Sequence, residues 1–269
     1  MAKVQTSFCE AKFMTENSSQ KRILFLSGVD FKEKSIQVIR KTPEAYVKAG
    51  WHVDYIVGRD NSLNGDYFYE SIINPSGVTV HRFSWPFTKI DGLLNNTYWK
   101  AFWFRVRNLA LVVTLALKAM RLIKKNDFHI IYGYEIPGVL AIRLLRAMLV
   151  RTKAKFVTRF QGVLYVKEWL RKKQKFRVLT NWDAFLALRT NADLCIMTND
   201  GSQGLSVLKQ IASPLKNILF CPNGVDEENL DKDKLAKIRM DFYSDPQKNT
   251  FFHFEIGPSP KIDRRSDNS

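Results

Sequence analysis

Cysteine and histidine are scarce in this 269-residue sequence, and neither occurs in a spacing that suggests a bridge or a metal site. The three cysteines are Cys9, Cys195 and Cys221. Because they are odd in number and far apart, they exclude a disulfide scaffold and predict reduced thiols in a cytoplasmic protein. The four histidines are His52, His81, His129 and His253. None lies at the short intervals typical of metal ligands, so no metal site is predicted.

Long apolar runs and glycine clusters are also missing. Residues 1–21 are mostly polar and lack the apolar core of a signal peptide, so they are predicted to form a flexible leader. The most apolar segment, Leu109–Leu117, is too short to span a bilayer, which takes about 20 residues. Gly28 follows the first predicted strand without the glycine triad of a dinucleotide site, so the sequence does not support NAD binding.

The helix predicted around that apolar segment, from Tyr98 to Lys125, has two interpretations. We expect it to pack against a sheet. The alternative is insertion into a membrane interface, with aromatic side chains at the lipid headgroups. Those aromatic residues are Trp99, Phe102, Trp103 and Phe104.

Acidic residues are nearly absent from the middle of the chain. The net charge is +16, and the segment between Lys100 and Arg177 contains nineteen Lys and Arg but only three acidic residues. This excess predicts attraction to an anionic membrane or to phosphates, and a solvated basic face is the plainer alternative. The densest part is a predicted membrane or anion patch of Lys167, Arg171, Lys172, Lys173, Lys175 and Arg177. No nucleic-acid-binding motif accompanies it, so nucleic acid is an unlikely partner.

Short apolar strands alternate with helices along most of the sequence. Ile23–Ser27 is a predicted buried strand, a helix follows to Ala49, and Gly50 ends it before the next strand. Strands that are apolar throughout and separated by helices are typical of a parallel sheet covered on both faces. The sequence therefore predicts an α/β, Rossmann-like, doubly wound domain with a mostly parallel sheet.

The segment from Ala192 to Asp226 contains a complete unit of this kind. A buried strand ends at Asn199-Asp200-Gly201, a helix follows, and a second strand ends at Pro222-Asn223-Gly224. Ligands of parallel sheets bind beyond the carboxyl ends of the strands, where both of these polar turns lie. Backbone N–H groups at Gly201 to Gln203, at the start of the helix, would suit an anion such as phosphate, although a capped turn explains the same residues.

Three segments in order resemble a known family. They are TRFQG at residues 158–162, ADLCIMTNDGSQG at 192–204 and ILFCPNGVD at 218–226. Together they resemble the amino-terminal domain of a family 4 glycosyltransferase with the GT-B fold, and the likeness extends from about Ile23 to Asp226. The resemblance implies a retaining transferase of two Rossmann-like domains, in which the first mainly holds the acceptor and the second mainly holds the nucleotide-sugar.

The resemblance also implies candidate residues in the loops that approach the acceptor or the donor phosphates. These are Gly28, Asp30, Glu135, Arg159, Gln161, Gly162, Asn199, Asp200, Gly201 and Asn223. Gln161 stands where the family often has a histidine near the reacting sugar, so a proton-transfer role is not carried over. The sequence identifies no catalytic residue.

The predicted domain boundaries place the acceptor domain at residues 22–228, with an interdomain helix and a truncated remnant of a second domain at 229–269. The donor residues of the family have no counterpart there, so the chain is expected to be inactive unless a second chain supplies the donor domain. The nucleotide-sugar is a co-substrate, and no cofactor is expected. The expected acceptor is a cell-envelope polysaccharide or a lipid-linked glycan.

The expected location is cytoplasmic, peripheral to the inner face of the plasma membrane. A non-catalytic membrane-associated binding or scaffold domain remains the alternative to the transferase. A nucleic-acid-binding protein, supported by charge alone, is the third interpretation.

Overall fold

The fold was examined in a computed structural model of the whole chain. The structure describes residues 20–32, 37–62, 65, 67–88, 97–148, 152–174, 177, 181–198 and 204–221. The predicted boundaries of the leader and of the carboxy-terminal segment stay predictions, because residues 1–19 and 222–269 lie outside this set.

Seven strands and six helices occur within the described residues. The strands are β1 (Arg22–Ser27), β2 (His52–Arg59), β3 (Thr79–Ser84), β4 (Ile130–Tyr134), β5 (Lys155–Phe160), β6 (Leu194–Thr198) and β7 (Ile218–Cys221). The helices are α1 (Gln37–Lys48), α2 (Thr97–Ile123), α3 (Glu135–Ala147), α4 (Leu164–Arg171), α5 (Trp182–Leu188) and α6 (Gly204–Gln210). Strand and helix alternate along most of the chain, as the sequence predicts.

The strands form one sheet in the order β3-β2-β1-β4-β5-β6-β7, and every neighbouring pair is parallel. The strand order reverses between β1 and β4, because β2 and β3 extend the sheet in one direction and β4 to β7 extend it in the other. This all-parallel arrangement confirms the predicted Rossmann-like α/β fold.

Alternate residues of the central strands pack on opposite faces of the sheet. Leu24 and Leu26 belong to the core beneath α2 and α3, whereas Ile23 and Phe25 belong to the core beneath α1. Because successive strand side chains point to opposite faces, strands covered on both faces must be apolar at nearly every position. A third core, which includes Cys195, lies among α3 to α6.

Three helices end with a residue in the left-handed region and the two backbone hydrogen bonds of a Schellman motif. The left-handed residues are Gly50 (φ 81°), Lys173 (φ 51°) and Ala212 (φ 51°). After α6, the Ser213 N–H donates to the Leu208 carbonyl at 2.9 Å and the Ala212 N–H to the Lys209 carbonyl at 3.1 Å. Gly50 confirms the helix end predicted from the sequence, whereas the other two positions carry side chains.

Candidate functional site

A cavity of about 1000 Å³ lies at the carboxyl ends of four adjacent strands. Gly28 follows β1, Glu135 follows β4, Gln161 follows β5, and Thr198 ends β6; all four line the cavity. Because β1 and β4 are neighbours at the point where the strand order reverses, the crevice between their connections is the usual ligand site of such a sheet.

The walls of the cavity are mainly apolar and come from the helices on one side of the sheet. Aliphatic residues of α2 and α3 form much of the wall, among them Val112, Leu140 and Leu144. Aromatic side chains complete it: Trp85, Phe104, Phe160, Trp169 and Trp182. A ligand in this space therefore meets apolar surface over most of its area and few polar groups.

Close packing of α3 onto the sheet brings its first turn to the cavity. A Cβ atom at Gly138 would lie 2.2 Å from the Leu26 carbonyl oxygen, so only glycine allows the helix to approach β1 this closely. A Cβ atom at Gly28 would lie 2.8 Å from the Pro137 Cβ. These two glycines therefore let the connections after β1 and β4 meet at the edge of the cavity.

Glu135 is the titratable residue at this junction. Its φ of 55° places it in the left-handed region, which side chains other than glycine rarely adopt. The backbone N–H of Gln161 donates to Glu135 Oε1 at 2.7 Å, which ties the end of β4 to the end of β5. A partly buried carboxyl thus lines the cavity in a fixed orientation.

The environment of Glu135 raises its pKa to about 7 from an ordinary value of 4.5. Burial is the main cause because it disfavours the charged form, while the Gln161 N–H and the charge of Arg159 partly oppose it. A carboxyl with a pKa near neutrality can accept a hydrogen bond or a proton from a hydroxyl group and release it again. It is the strongest candidate for a ligand-contacting residue.

A polar group on the opposite wall joins α2 to α5. Arg105 donates to Asp183 Oδ2 at 2.7 Å and to Asn181 Oδ1 at 2.6 Å, and Asn108 lines the cavity one turn further along α2. The ion pair is only partly exposed, so it supports the position of α5 as well as presenting polar atoms to a ligand. Both walls of the cavity therefore carry a small polar patch.

Trp85 fixes the loop after β3 at the mouth of the cavity. Its Nε1 donates to the Gly28 carbonyl at 3.1 Å, and the Arg107 guanidinium lies over its ring at 5.2 Å. Arg107 is buried and also donates to Asp60 Oδ2 at 2.7 Å. The indole ring is thus held from two sides, and it both anchors the loop and forms part of the wall.

The structure brings four of the predicted loop residues to the cavity and places two others, Asp30 and Arg159, elsewhere. Gly28, Glu135, Gln161 and Gly162 line it. Asp30 is fully buried, and its Oδ2 accepts from Arg59 at 2.9 Å and from Arg82 at 2.8 Å. This cluster joins the ends of β1, β2 and β3, so the carboxylate of Asp30 serves packing and does not face the cavity. Its predicted part in a phosphate loop stays a prediction.

Arg159 lies on the α1 side of the sheet, away from the large cavity. It borders a second cavity of about 10 Å³ together with Tyr132 and Tyr134. Burial raises the pKa of Tyr132 to about 12, with the charge of Arg159 opposing the rise. Arg159 therefore affects Glu135 through its charge and does not line the space that a ligand would occupy.

The remaining predicted residues divide into an exposed set and a set outside the described residues. Arg171, Lys172, Lys173 and Arg177 are exposed, and Lys167 is partly buried. Lys172 forms an ion pair with Glu168. Outside the described residues lie Lys175, Asn199, Asp200, Gly201 and Asn223. The basic patch is therefore a surface in its described part, and its binding role stays a prediction.

Several cavity residues were not singled out as site candidates from the sequence. They are Arg105, Asn108, Asn181 and Asp183. One signal was available: Arg105, Asn108 and Val112 recur at intervals of three and four, which places them on one side of α2. The pairing of α2 with α5 carried no local signal, because the two helices are far apart in sequence.

Within the part of the chain that the structure describes, His, Cys, Asp and Glu side chains form no group that could hold a metal ion. No described helix combines the length and the apolar character needed to cross a bilayer.

No protein-family model matches the sequence, and no curated protein is significantly similar to it. Solved structures of similar shape include sucrose-phosphate synthase from Thermosynechococcus elongatus, at 18% identity and a TM-score of 0.48, covering 82% of this chain and 52% of that one. UGT2 from Phytolacca americana, complexed with UDP-2-fluoro-glucose and pterostilbene, is 8% identical with a TM-score of 0.48, covering 81% of this chain and 57% of that one.

A third structure is an α,α-trehalose-phosphate synthase (UDP-forming) from Burkholderia vietnamiensis, at 12% identity and a TM-score of 0.42, covering 86% of this chain and 53% of that one. These structural neighbours are glycosyltransferases of the GT-B fold. This chain spans about half the length of each of the three. The fold assignment of this chain follows from its own strand order and register.

Proposed function

We propose that this chain is the acceptor-binding domain of a retaining glycosyltransferase similar to family 4, and that its cavity holds the acceptor. In the transfer we propose, a sugar moves from a nucleotide-sugar to a cell-envelope polysaccharide or a lipid-linked glycan. The observation that carries the proposal is the cavity of about 1000 Å³ at the reversal of strand order, with Glu135 on its wall. The resemblance of residues 158–226 to the family adds to it.

The chemistry of the cavity favours an acceptor with an apolar part and a hydroxyl-bearing part. A small-molecule site is typically apolar with a few converging polar groups, and its volume is roughly 300–1000 Å³. Glu135 on one wall and the Arg105–Asp183 pair on the other provide those polar groups. We assign Glu135 the role of accepting a hydrogen bond from the acceptor hydroxyl that receives the sugar.

The nucleotide-sugar is a co-substrate in this proposal, and its main site belongs to a second domain or a second chain. The connection after β1 supplies the part of the first domain that the donor phosphates would approach. Gly28 keeps this connection free of a side chain at the edge of the cavity. The same cavity also suits a second candidate function, a non-catalytic membrane-associated domain that binds a lipid-linked glycan at the inner face of the plasma membrane.

A cavity-filling variant tests whether the cavity binds the acceptor. Asn108→Trp places a large ring in the space, whereas Gln210→Trp at an exposed position of α6 outside the cavity is the matched control. The probe is a short-chain polyprenyl-diphosphate sugar, titrated by calorimetry against the purified full chain. We expect Asn108→Trp to weaken binding by about tenfold or more and Gln210→Trp to leave it unchanged.

The accompanying measurement is sugar transfer to the same probe from UDP-, GDP- and dTDP-sugars. Transfer by the wild-type chain once a donor-domain partner is added, lost in Asn108→Trp, supports the enzyme. Binding of the probe without transfer, even after a donor-domain partner is added, supports the non-catalytic candidate. Saturable binding that Asn108→Trp leaves intact would show that the acceptor binds elsewhere.

A further inference from the structure

Helix α2 is apolar on two opposite sides, and the described part of the chain covers only one of them. Leu111, Leu115 and Ala119 are fully buried against the sheet. On the far side lies a row of exposed side chains that we call the outer face of α2. It consists of Trp99, Phe102, Leu109, Val113 and Leu117, with exposed fractions of 61, 58, 54, 38 and 40%.

The outer face is continuous along most of the helix. Its members are three, four or seven residues apart, so they lie on one side of the helix and span about 27 Å at 1.5 Å per residue. A helix that is apolar on both sides needs a second apolar environment, because contiguous apolar surface of this extent is uncommon on monomeric proteins.

Within α2, cations accompany this face and no carboxylate does. Helix α2 contains five Lys and Arg and no Asp or Glu. Arg105 and Arg107 are paired with Asp183 and Asp60, whereas Arg121 near the end of the helix is exposed. Two further lysines, Lys124 and Lys125, follow directly and are also exposed. A row of Trp, Phe and Leu with exposed cations beside it matches the composition of helices that lie in an anionic membrane interface.

We propose that the outer face of α2 docks on an anionic lipid bilayer, with α2 lying in the plane of the interface. A second copy of the chain suits this face less well, since it would add further cations and no α2 carboxylate to pair with them. A bilayer of anionic lipids supplies both the apolar layer and the negative charge. This docking surface differs from the basic patch around Lys167–Arg177 and does not depend on the transferase activity.

The docking surface borders the mouth of the cavity. Leu109 and Val113 belong to the outer face of α2 and also line the cavity. One consequence rests on the proposed function. A lipid-linked acceptor can pass from the bilayer into the cavity along these two side chains without entering water.

Vesicle sedimentation tests the docking surface without any sugar or nucleotide. The test variant is Phe102→Glu with Leu117→Glu. The control is Ile72→Glu with Leu205→Glu, which changes the charge equally at exposed apolar side chains outside α2, with exposed fractions of 65 and 46%. The full chain is mixed with vesicles of phosphatidylcholine alone or with phosphatidylglycerol, and the oligomeric mass of each variant is recorded by light scattering.

We expect the wild type to sediment with the phosphatidylglycerol vesicles and not with phosphatidylcholine alone. The test variant should bind about tenfold more weakly for each substituted side chain, and the control should stay within about twofold of the wild type. If glutamate disturbs folding, as judged by circular dichroism, Phe102→Ser with Leu117→Ser replaces it and should show the same loss.

Three results would overturn the proposal. The first is a wild-type chain that ignores anionic vesicles. The second is an equal loss of vesicle binding in the test and control variants, which would show that binding depends on net charge alone. The third is a wild type that is dimeric and a test variant that is monomeric, with equal vesicle binding by both. A second copy of the chain would then cover the outer face of α2.

Discussion

Glu135→Gln is the substitution that most directly tests the environment assigned to the cavity. Glutamine keeps the side-chain length and an oxygen that can accept the Gln161 N–H, but it cannot ionise. The variant therefore isolates the free energy of placing a negative charge at this position. We expect its effect on stability to depend strongly on pH.

The size of the effect follows from the two pKa values. The pKa of Glu135 rises from an ordinary 4.5 to about 7 in the folded chain, so the folded state binds the proton more tightly than the unfolded state. The stability this provides is fully present below about pH 4.5 and is lost as the pH rises through 7. A pKa shift is worth about 1.4 kcal/mol per unit. As the pH rises, the free energy of unfolding of the wild type should therefore fall by about 3 kcal/mol, whereas that of the variant should not.

Denaturant unfolding of the two proteins at about pH 5 and about pH 8 measures this difference. We expect near-equal stability at the lower pH and a variant more stable by about 2–3 kcal/mol at the higher pH. Glu168→Gln is the control: Lys172 holds the pKa of the exposed Glu168 below its ordinary value, so any contribution there is lost as the pH falls. Parallel pH profiles for wild type and Glu135→Gln would refute the buried, pKa-shifted carboxyl.

Two further predictions concern stability alone. Asp30→Asn should destabilise the chain by about 3–5 kcal/mol in denaturant unfolding, because it leaves Arg59 buried without its carboxylate, and Lys172→Gln in the exposed pair should change nothing measurable. Ala212→Gly should stabilise by about 1 kcal/mol, since glycine removes the cost of the left-handed φ of 51°, whereas Ala110→Gly within α2 should destabilise by about as much. Equal signs for the two glycine variants would contradict the strain at residue 212.

The strands and most of the helices follow from the sequence because the signals that form them are local. The predicted strand Ile23–Ser27 differs from β1 by one residue at its start, and the left-handed Gly50 ends α1 as predicted. Helix α4 was not predicted from the sequence. The many cations of residues 167–177 obscure the helical spacing of the apolar residues Val166 and Trp169. Trp169 faces the cavity in the structure and is not part of an exposed basic surface.

The site was only partly predictable, since its chemistry comes from contacts between distant segments. The end of a strand predicts that Glu135 lies near a ligand, but its raised pKa depends on burial by α3 and on the Gln161 N–H of another strand. The same limit applies to Asp30. Its position after β1 suggested a ligand loop, and the arginines from β2 and β3 that engage it are invisible in the local sequence.

The reversal of strand order between β1 and β4 also determines when the site can exist during synthesis. β1 pairs with β2 early, but its other edge waits for β4, which begins only at Ile130. Until then the nascent chain carries an open, apolar strand edge at its centre, of the kind that pairs with other chains. When β4 closes this edge, Glu135 and the Gly138 contact with Leu26 come together, but the cavity also needs Gln161 after β5, Asp183 of α5 and Thr198 of β6. Closing the central edge of the sheet therefore begins the binding site, and the later strands complete it.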